Sequence, residues 1–361
     1  MAGFVAPFLL YAAMLLLHVL LPSRQVQGYI LDLETGRPLN YRLNGLLTFF
    51  VVLALWLVAD LLGWIKWDWL YLHRWSALAG ACTLGLGYTL IVVLPAPSTG
   101  KPLLADLFLG RVENPQYLSG RVDAKMALYM LGAIMLMLNT LSFAAYHHEV
   151  FGKNANPGVY LHTALFAFFV IDYLFFERAH LYTYDLFAEK MGFKLGWGCL
   201  VFYPYFYSVG LWGTAHLAEP AVITRLGWGW LVLSTLVFLS GWILARGANM
   251  QKYLFKRFPD RAFLGWIEPK TLSGGNLKLL CNGFWSLSRH INYLGEILMA
   301  TGLALSLGHL TSPWPWLYPF YYILLLVPRE RDDDRRCAEK YGVVWEEYRA
   351  KVRYRIIPKI Y

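Results

Sequence analysis

The chain has 361 residues, of which 58% are hydrophobic, 17% aromatic and only 15% charged, with a formal charge of +9. Soluble domains carry about 25% charged residues, which excludes a water-soluble globule of this length, and the aromatic content excludes disorder. The apolar residues fall in blocks long enough to span a hydrocarbon core, some 18 to 20 residues at about 1.5 Å each. The sequence therefore predicts an all-α, polytopic integral membrane protein of about nine to ten transmembrane helices.

In chain order the expected spans are Phe4–Leu21, Gly45–Ile65, Trp75–Leu94, Met126–Tyr146, Tyr160–Phe176, Gly196–His216, Leu226–Ala245, Leu294–Leu310 and the short Trp314–Val327. Leu277–Leu287 is a weaker apolar stretch, read as a re-entrant piece or a tenth span. The first block lacks a basic leader and a small-residue cleavage site, so it reads as a span and not as a removed signal. With nine crossings, the segments 22–44, 95–125, 177–195, 246–276 and the tail from Pro328 share one side. Counting Lys278 with them, they carry 27 basic residues, against Lys66, Arg74, Lys153 and Arg225 on the other. That asymmetry predicts a cytoplasmic C-terminus. No soluble basic domain carries the charge, so nucleic acid is not an expected partner, and no obligate protein partner is evident.

Cys82, Cys199, Cys281 and Cys337 are scattered without a CxxC or a His-rich spacing, which predicts free thiols and no metal site. The first three spans are almost purely apolar, with Asp60 the main exception. From residue 160 onward His162, Asp172, Glu177, His180, Asp185, His216, Arg289, Asn292 and Glu296 enter or border the spans. An ionisable residue at the bilayer centre costs about 2.5–3.5 kcal/mol, so such groups face a cavity or a partner unless they sit at a span end.

Two stretches carry more than composition. Read as a helix, Arg289, Asn292, Tyr293 and Glu296 share one face. That face offers a cation, an amide and a phenol, either as a polar cap on a span or as a surface for a phosphate-bearing or planar polar ligand. In the tail, Pro328 followed by acidic residues suits a helix start. Asp333, Cys337, Tyr341, Trp345 and Tyr348 then recur every three or four residues, as on an amphipathic helix at the membrane surface.

The order of residues in these stretches resembles the sterol reductases of the delta-14 and delta-7 type, with the membrane portion of lamin B receptor as a relative. Phe108-Leu-Gly-Arg111 through Pro115 is similar to the family's F-x-G-R-x-L-N-P-R, with Glu113 and Gln116 in place of its Leu and Arg. Asn249-Met-Gln-Lys252 through Lys256 is similar to N-x-Q-K-x-x-F-R. Arg289-His290-Ile-Asn292-Tyr293-Leu-Gly-Glu296 is similar to R-H-x-N-Y-x-G-D, and the tail from Arg331 to Tyr361 to the family's own. A shorter form of the R-H-x-x-Y-x-G theme occurs in isoprenylcysteine methyltransferases.

The resemblance implies NADPH-dependent reduction of a sterol ring double bond, with delta-14 leading and delta-7 as the nearest alternative. A non-catalytic sterol-binding scaffold and a methyltransferase are the readings from other classes. Carried over by position, the cofactor contacts fall on Lys252, Lys256, Leu280, Trp285, Asn292, Tyr293, Asp333, Cys337, Ala338, Glu339, Lys340, Tyr341 and Tyr348, to which the polar face adds Arg289. No GxGxxG follows a strand, so no Rossmann domain is expected.

Reduction of an unactivated alkene needs a proton before the hydride, and therefore an acid beside an apolar pocket. Asp185, Tyr207 and Glu177 match polar positions of the family, with Asp185 and Tyr207 ranked ahead of Glu177. Tyr203 and Tyr207 would share a helical face, or sit in an interfacial aromatic belt. One membrane-embedded reductase domain is expected over 1–361, with apolar N-terminal spans in 1–125 and catalytic spans and cofactor tail in 126–361. Its partners would be the sterol and membrane lipids, in a bacterial inner membrane or the endoplasmic reticulum.

Overall fold

The computed structural model describes residues 1–32, 35–274 and 277–361. It is mostly helical and divides into two units, Met1–Glu219 and Pro220–Tyr361. Among the described residues five helices are long and apolar enough to cross a bilayer. The all-α expectation holds for the bulk of the chain and is broken by three short antiparallel hairpins.

The first unit contains α1 (Ala2–Leu20), the hairpin β1 (Arg24–Leu31) and β2 (Pro38–Leu43), α2 (Gly45–Leu61) and α3 (Arg74–Val93). The two-residue strands β3 (Gln116–Tyr117) and β4 (Val122–Asp123) then lead into α4 (Ala124–Phe151), which is followed by α5 (Pro157–Phe175). Helix α4 is apolar all round, the pattern of a helix enclosed on every side. Ala133, Ile134, Met135, Leu136 and Met137, successive positions that together cover every side of it, are all buried. Helices α1 and α3 touch through small residues, as helices do where apolar surface alone gives no driving force. A Cβ on Gly80 would fall on the carbonyl of Phe4.

The expected span Gly196–His216 is interrupted. A short helix Phe193–Trp197 passes into a π-helix, Gly198–Phe206, and then into a second short helix, Val209–Thr214. Pro204 explains the break, because it has no N–H to give to the carbonyl four residues back. That carbonyl, of Leu200, instead accepts from the Tyr11 hydroxyl at 2.6 Å, and the carbonyl of Pro204 accepts from Asn139 Nδ2 at 2.9 Å. Gly132 makes the approach possible, since a Cβ there would meet the Cys199 carbonyl at 2.6 Å.

The F-x-G-R block ties the 93–112 segment to the 191–192 segment. Buried Asp106 accepts from Arg111 Nε at 2.8 Å, from Thr99 N at 3.3 Å and from the Thr99 hydroxyl. Arg111 also donates to the Ala96 carbonyl at 2.8 Å. Gly110, at φ +90°, lies so close to Met191 that a Cβ would meet its carbonyl at 2.4 Å, and Met191 N donates to the Val112 carbonyl at 2.7 Å.

The second unit contains α6 (Trp228–Arg257), the hairpin β5 (Thr271–Gly274) and β6 (Leu277–Leu280), α7 (Ile291–Ser306), α8 (Pro313–Tyr341) and α9 (Val343–Lys351). Helices α6 and α7 run antiparallel and nearly touch at their backbones. A Cβ on Gly241 would meet the Gly295 carbonyl at 2.5 Å, and one on Gly302 the Phe238 nitrogen at 2.6 Å. Leu277–Leu287 is not a span: it is β6, a loop and a 3₁₀ turn, with Thr271 paired to Leu280 in register.

Pro328 does not start a helix either. Helix α8 runs through it for 29 residues, joining the expected last span to the tail, and ends only at Gly342, whose φ is +54°. The chain turns there, and α9 packs Trp345 and Tyr348 with Cys281 against Leu279, Cys337 and Tyr341. The tail stripe therefore closes on the hairpin.

Thr99 and then Arg111 draw the Asp106 carboxyl from its ordinary value near 3.8 down to about 2. A depressed carboxyl stabilises the fold above its unfolded pKa and loses that contribution as pH falls through the folded one. Asp106→Asn should therefore lower the Tm at pH 7, and its gap to the wild type should shrink between about pH 4 and pH 2. Thermal unfolding in detergent across that range checks both outcomes.

Candidate functional site

The polar residues of the second unit converge where the end of α6, the start of α7 and the outer half of α8 meet the hairpin. Lys252 and Lys256 occupy the last two turns of α6, one turn apart. Lys252 Nζ stands 5.3 Å from the centroid of the Trp285 ring, a cation–π contact. Trp285 Nε1 donates to the Ala248 carbonyl at 3.0 Å, and the Trp285 carbonyl accepts from the Tyr348 hydroxyl at 2.8 Å, so both faces of the 3₁₀ turn are pinned. Lys252, Lys340, Asp333 and Cys337 all lie within electrostatic range of Lys256. Burial, with Asp333 adding to it, pushes the Cys337 thiol up to about 12, against the opposing pull of Lys252 and Lys340, and keeps it protonated.

The spacing predicts Arg289 on a helix face, and the structure places it off the helix. Helix α7 begins at Ile291 with His290 as its cap, so Arg289 precedes it and only Asn292, Tyr293 and Glu296 are helical. Arg289 is placed instead by the end of the chain. Its backbone N–H donates to the Tyr354 carbonyl at 2.9 Å, the N–H of His290 to the Arg355 carbonyl at 2.8 Å, and the Ser288 hydroxyl to the Ile356 carbonyl at 2.8 Å. Side chains reinforce the pairing from α8. Asp334 holds Arg289 at 3.3 Å, and buried Glu330, one turn earlier, holds Arg355 at 3.2 Å. The two guanidinium groups are thus held by two carboxylates on one helix face.

Asn292 Nδ2 donates to Asn249 Oδ1 at 3.3 Å, and Gln251 binds Phe284 N and the Asn282 carbonyl, fixing α6 against the turn. Four polar atoms here are buried without a partner among the described residues: Arg289 Nε, His290 Nε2 and Asn292 Oδ1, and the second carboxylate oxygen of Glu330, Oε1, whose Oε2 holds Arg355. Buried polar atoms are normally satisfied, so the cluster fits an anionic ligand that also carries hydrogen-bonding groups. Leu280, Tyr293 and Tyr348 are buried around it, Trp285 and Tyr341 are half-buried, and Glu339 and Lys340 are exposed. Asn249 and Gln251 stand in the N-x-Q-K block and Arg355 in the matched tail, but the sequence gives them no role, and Glu330 is not singled out at all; their roles depend on tertiary neighbours.

The three candidate acids lie in the first unit, in different surroundings. Glu177 is buried at the end of α5, where its carboxylate accepts from Gly45 N at 3.2 Å, and burial pushes the carboxyl up to about 7. Asp185 is half-buried on the short helix Tyr184–Ala188. Tyr203 and Tyr207 belong to the π-helix and its cap, yet their rings still touch, 4.6 Å apart. Tyr173 stacks on His180 at 4.0 Å and lies within electrostatic range of Tyr203, Asp185 and Glu177. Lys125 organises the Asp185 segment. It is 1% exposed, and its ammonium donates to the carbonyls of Leu186 at 2.7 Å and Glu189 at 2.6 Å, with that of Asp185 at 3.5 Å.

Helices long and apolar enough to cross a bilayer define a membrane protein, and the second unit carries a lysine-lined cluster with aromatic walls. The whole chain identifies its lineage: residues 3–361 match the Ergosterol biosynthesis ERG4/ERG24 family, and the chain belongs to it. It is 33% identical to a Delta(14)-sterol reductase of Arabidopsis thaliana, covering 95% of this chain and 91% of the relative. It is 34% identical to a Delta(14)-sterol reductase of Methylotuvimicrobium alcaliphilum, covering 98% and 82%. The Schizosaccharomyces pombe Delta(14)-sterol reductase is also 34% identical, covering 73% and 60%.

Lys125→Met leaves the carbonyls of the 185–189 segment without their charged donor. Hydrogen bonds to a charged group contribute about 1.5–3 kcal/mol, so amide exchange in Tyr184–Glu189 should accelerate at least tenfold while α4 stays protected. Exchange mass spectrometry of the purified protein measures both.

Proposed function

We propose that the chain is an NADPH-dependent reductase of a sterol ring double bond, the delta-14 bond, and so an oxidoreductase acting on a CH–CH group. The observation that carries the reading is the grouping of Lys252, Lys256 and Lys340 with the buried, unpartnered Arg289 Nε and Asn292 Oδ1 beside Trp285. The lysines suit phosphate, and Trp285, Tyr341 and Tyr348 suit the flat faces of a dinucleotide. The names of the relatives support the sterol substrate and the position of the bond. Residues 1–361 act as one reductase, crossing the membrane nine times with the C-terminus in the cytoplasm. The basic-residue asymmetry supports that topology, and the membrane is a bacterial inner membrane or the endoplasmic reticulum.

When bound, the dinucleotide supplies hydride. The chain's part is to bind it, to protonate the alkene first and to keep water from the resulting tertiary cation. Leu280, Asp333, Cys337, Ala338 and Glu339 complete the cofactor contacts with Tyr293. Between the two carboxyl groups Glu177 moves ahead of Asp185, because burial leaves it substantially protonated at neutral pH, while Tyr207, a phenol, stays a candidate. Incubation with NADPH and a panel of delta-14, delta-7 and side-chain-unsaturated sterols, read by mass spectrometry, should show addition of two hydrogens to the delta-14 substrate alone. Reduction of a different bond, or none, overturns the assignment.

Two sets of variants divide the site. Asn292→Ala and Tyr293→Ala should each weaken NADPH binding by about 1–3 kcal/mol, and unchanged calorimetric affinity in both counts against the cofactor site. Glu177→Gln should lower kcat by about 10²–10⁴ and leave NADPH binding intact. The acid works protonated, so wild-type kcat should fall as pH rises through about 7. Should Glu177→Gln turn over normally while Asp185→Asn loses activity, the proton comes from Asp185.

A further inference from the structure

The imidazole of His290 is 3% exposed and stacks on Tyr293, with ring centroids 4.9 Å apart and planes 20° from parallel. Its Nδ1 faces the Asp333 carboxylate at 3.8 Å. That is too long for a direct hydrogen bond, but the negative charge favours the tautomer with its proton on Nδ1. Nε2 is buried and has no partner among the described residues.

One other buried histidine is arranged differently. His147 uses both nitrogens, with Nδ1 at 2.7 Å from the Ala215 carbonyl and Nε2 accepting from Asn156 N at 2.8 Å. At His290, burial and the positive charges of Lys252, Arg289 and Arg355 push the imidazole down to about 3. The ring is neutral at physiological pH, and Nε2 is a lone-pair acceptor left unused. Asn292 Oδ1 is a second such acceptor two residues on. Two unused acceptors among lysines call for a ligand that is anionic in one part and carries hydrogen-bond donors in another.

We propose that His290 is a further cofactor-contacting residue, its Nε2 accepting a hydrogen bond from a hydroxyl or amide N–H of the bound dinucleotide. The proposal rests on the reading of this unit as an NADPH site.

The test is calorimetric titration of NADPH into the purified full-length protein and three variants. His290→Phe keeps the ring stacked on Tyr293 and removes the acceptor. His290→Gln places an amide at the reach of Nε2, and His290→Asn only at the reach of Nδ1. His290→Phe should weaken binding about tenfold, His290→Gln should recover part of that loss, and His290→Asn should not. The ligand-free Tm of His290→Phe should be no lower than wild type, because an unsatisfied buried nitrogen has been removed. A 3-acetylpyridine analogue, which has a methyl in place of the carboxamide nitrogen, identifies the donor. The His290→Phe deficit vanishes with it if the donor is the amide N–H and persists if it is a hydroxyl. Wild-type affinity in His290→Phe, or equal losses in the Gln and Asn variants, overturns the contact alone. Absence of NADPH binding by the wild type overturns the dinucleotide site, and this contact with it.

Discussion

In a chain this apolar, every backbone polar group must find a partner inside the protein, because lipid offers none. The first unit is arranged around that constraint. Pro204 cancels one helical hydrogen bond, and the Tyr11 hydroxyl replaces it at the Leu200 carbonyl. The π-helix leaves the Pro204 carbonyl to Asn139. Arg42 closes the end of α1, donating to His18, Val19 and Leu21 carbonyls. Lys125 does the same for the Asp185 segment. Long-range side-chain donors, and not helix propensity, keep the broken elements in place.

The second unit meets a related constraint with charge. Burying a guanidinium is costly unless a carboxylate and hydrogen bonds accompany it. Helix α8 supplies both carboxylates by continuing past the apolar span: Glu330 and Asp334 lie one turn apart and hold Arg355 and Arg289. The backbone of 354–356 then pairs with 288–290. The end of the chain is thereby built into the wall of the site, and α9 seals the hairpin with Trp345 and Tyr348. Of the polar atoms left over, those on Arg289, His290 and Asn292 lie together beside the lysines at the end of α6.

Membrane character, the positions of the apolar blocks and the family were all legible in the sequence, because block hydropathy and ordered motifs are local properties of the chain. Much of the candidate site was legible as well, since Lys252, Asn292, Tyr293, Asp333 and Tyr348 belong to short conserved-order motifs that the resemblance carries whole. Three features escaped local reading. Pro328 reads as a helix start, yet α8 passes through it, with Leu326 before it and Glu330 after it both buried. Leu277–Leu287 is a weaker apolar stretch too short to cross, and its first residues, Leu277–Leu280, pair as a strand instead. Arg289 fits a helical face by spacing, yet the partner that fixes it lies sixty-five residues further on, at Tyr354.

The sequence by itself determined that the chain is an apolar helical membrane protein of the sterol reductase lineage. It also determined which residue types are available for an anionic ligand, since hydropathy, charge and motif order need no knowledge of contacts. Tertiary structure alone decided which of those residues are buried, which are paired and which are left unsatisfied. It made Glu177 the most desolvated of the three acids, by enclosing its carboxylate against Gly45 at the start of α2. It made His290 neutral and left its Nε2 without a partner among the described residues, by enclosing it between Asp333 and three cations. Both outcomes follow from desolvation, and desolvation depends on which distant segments close over a residue.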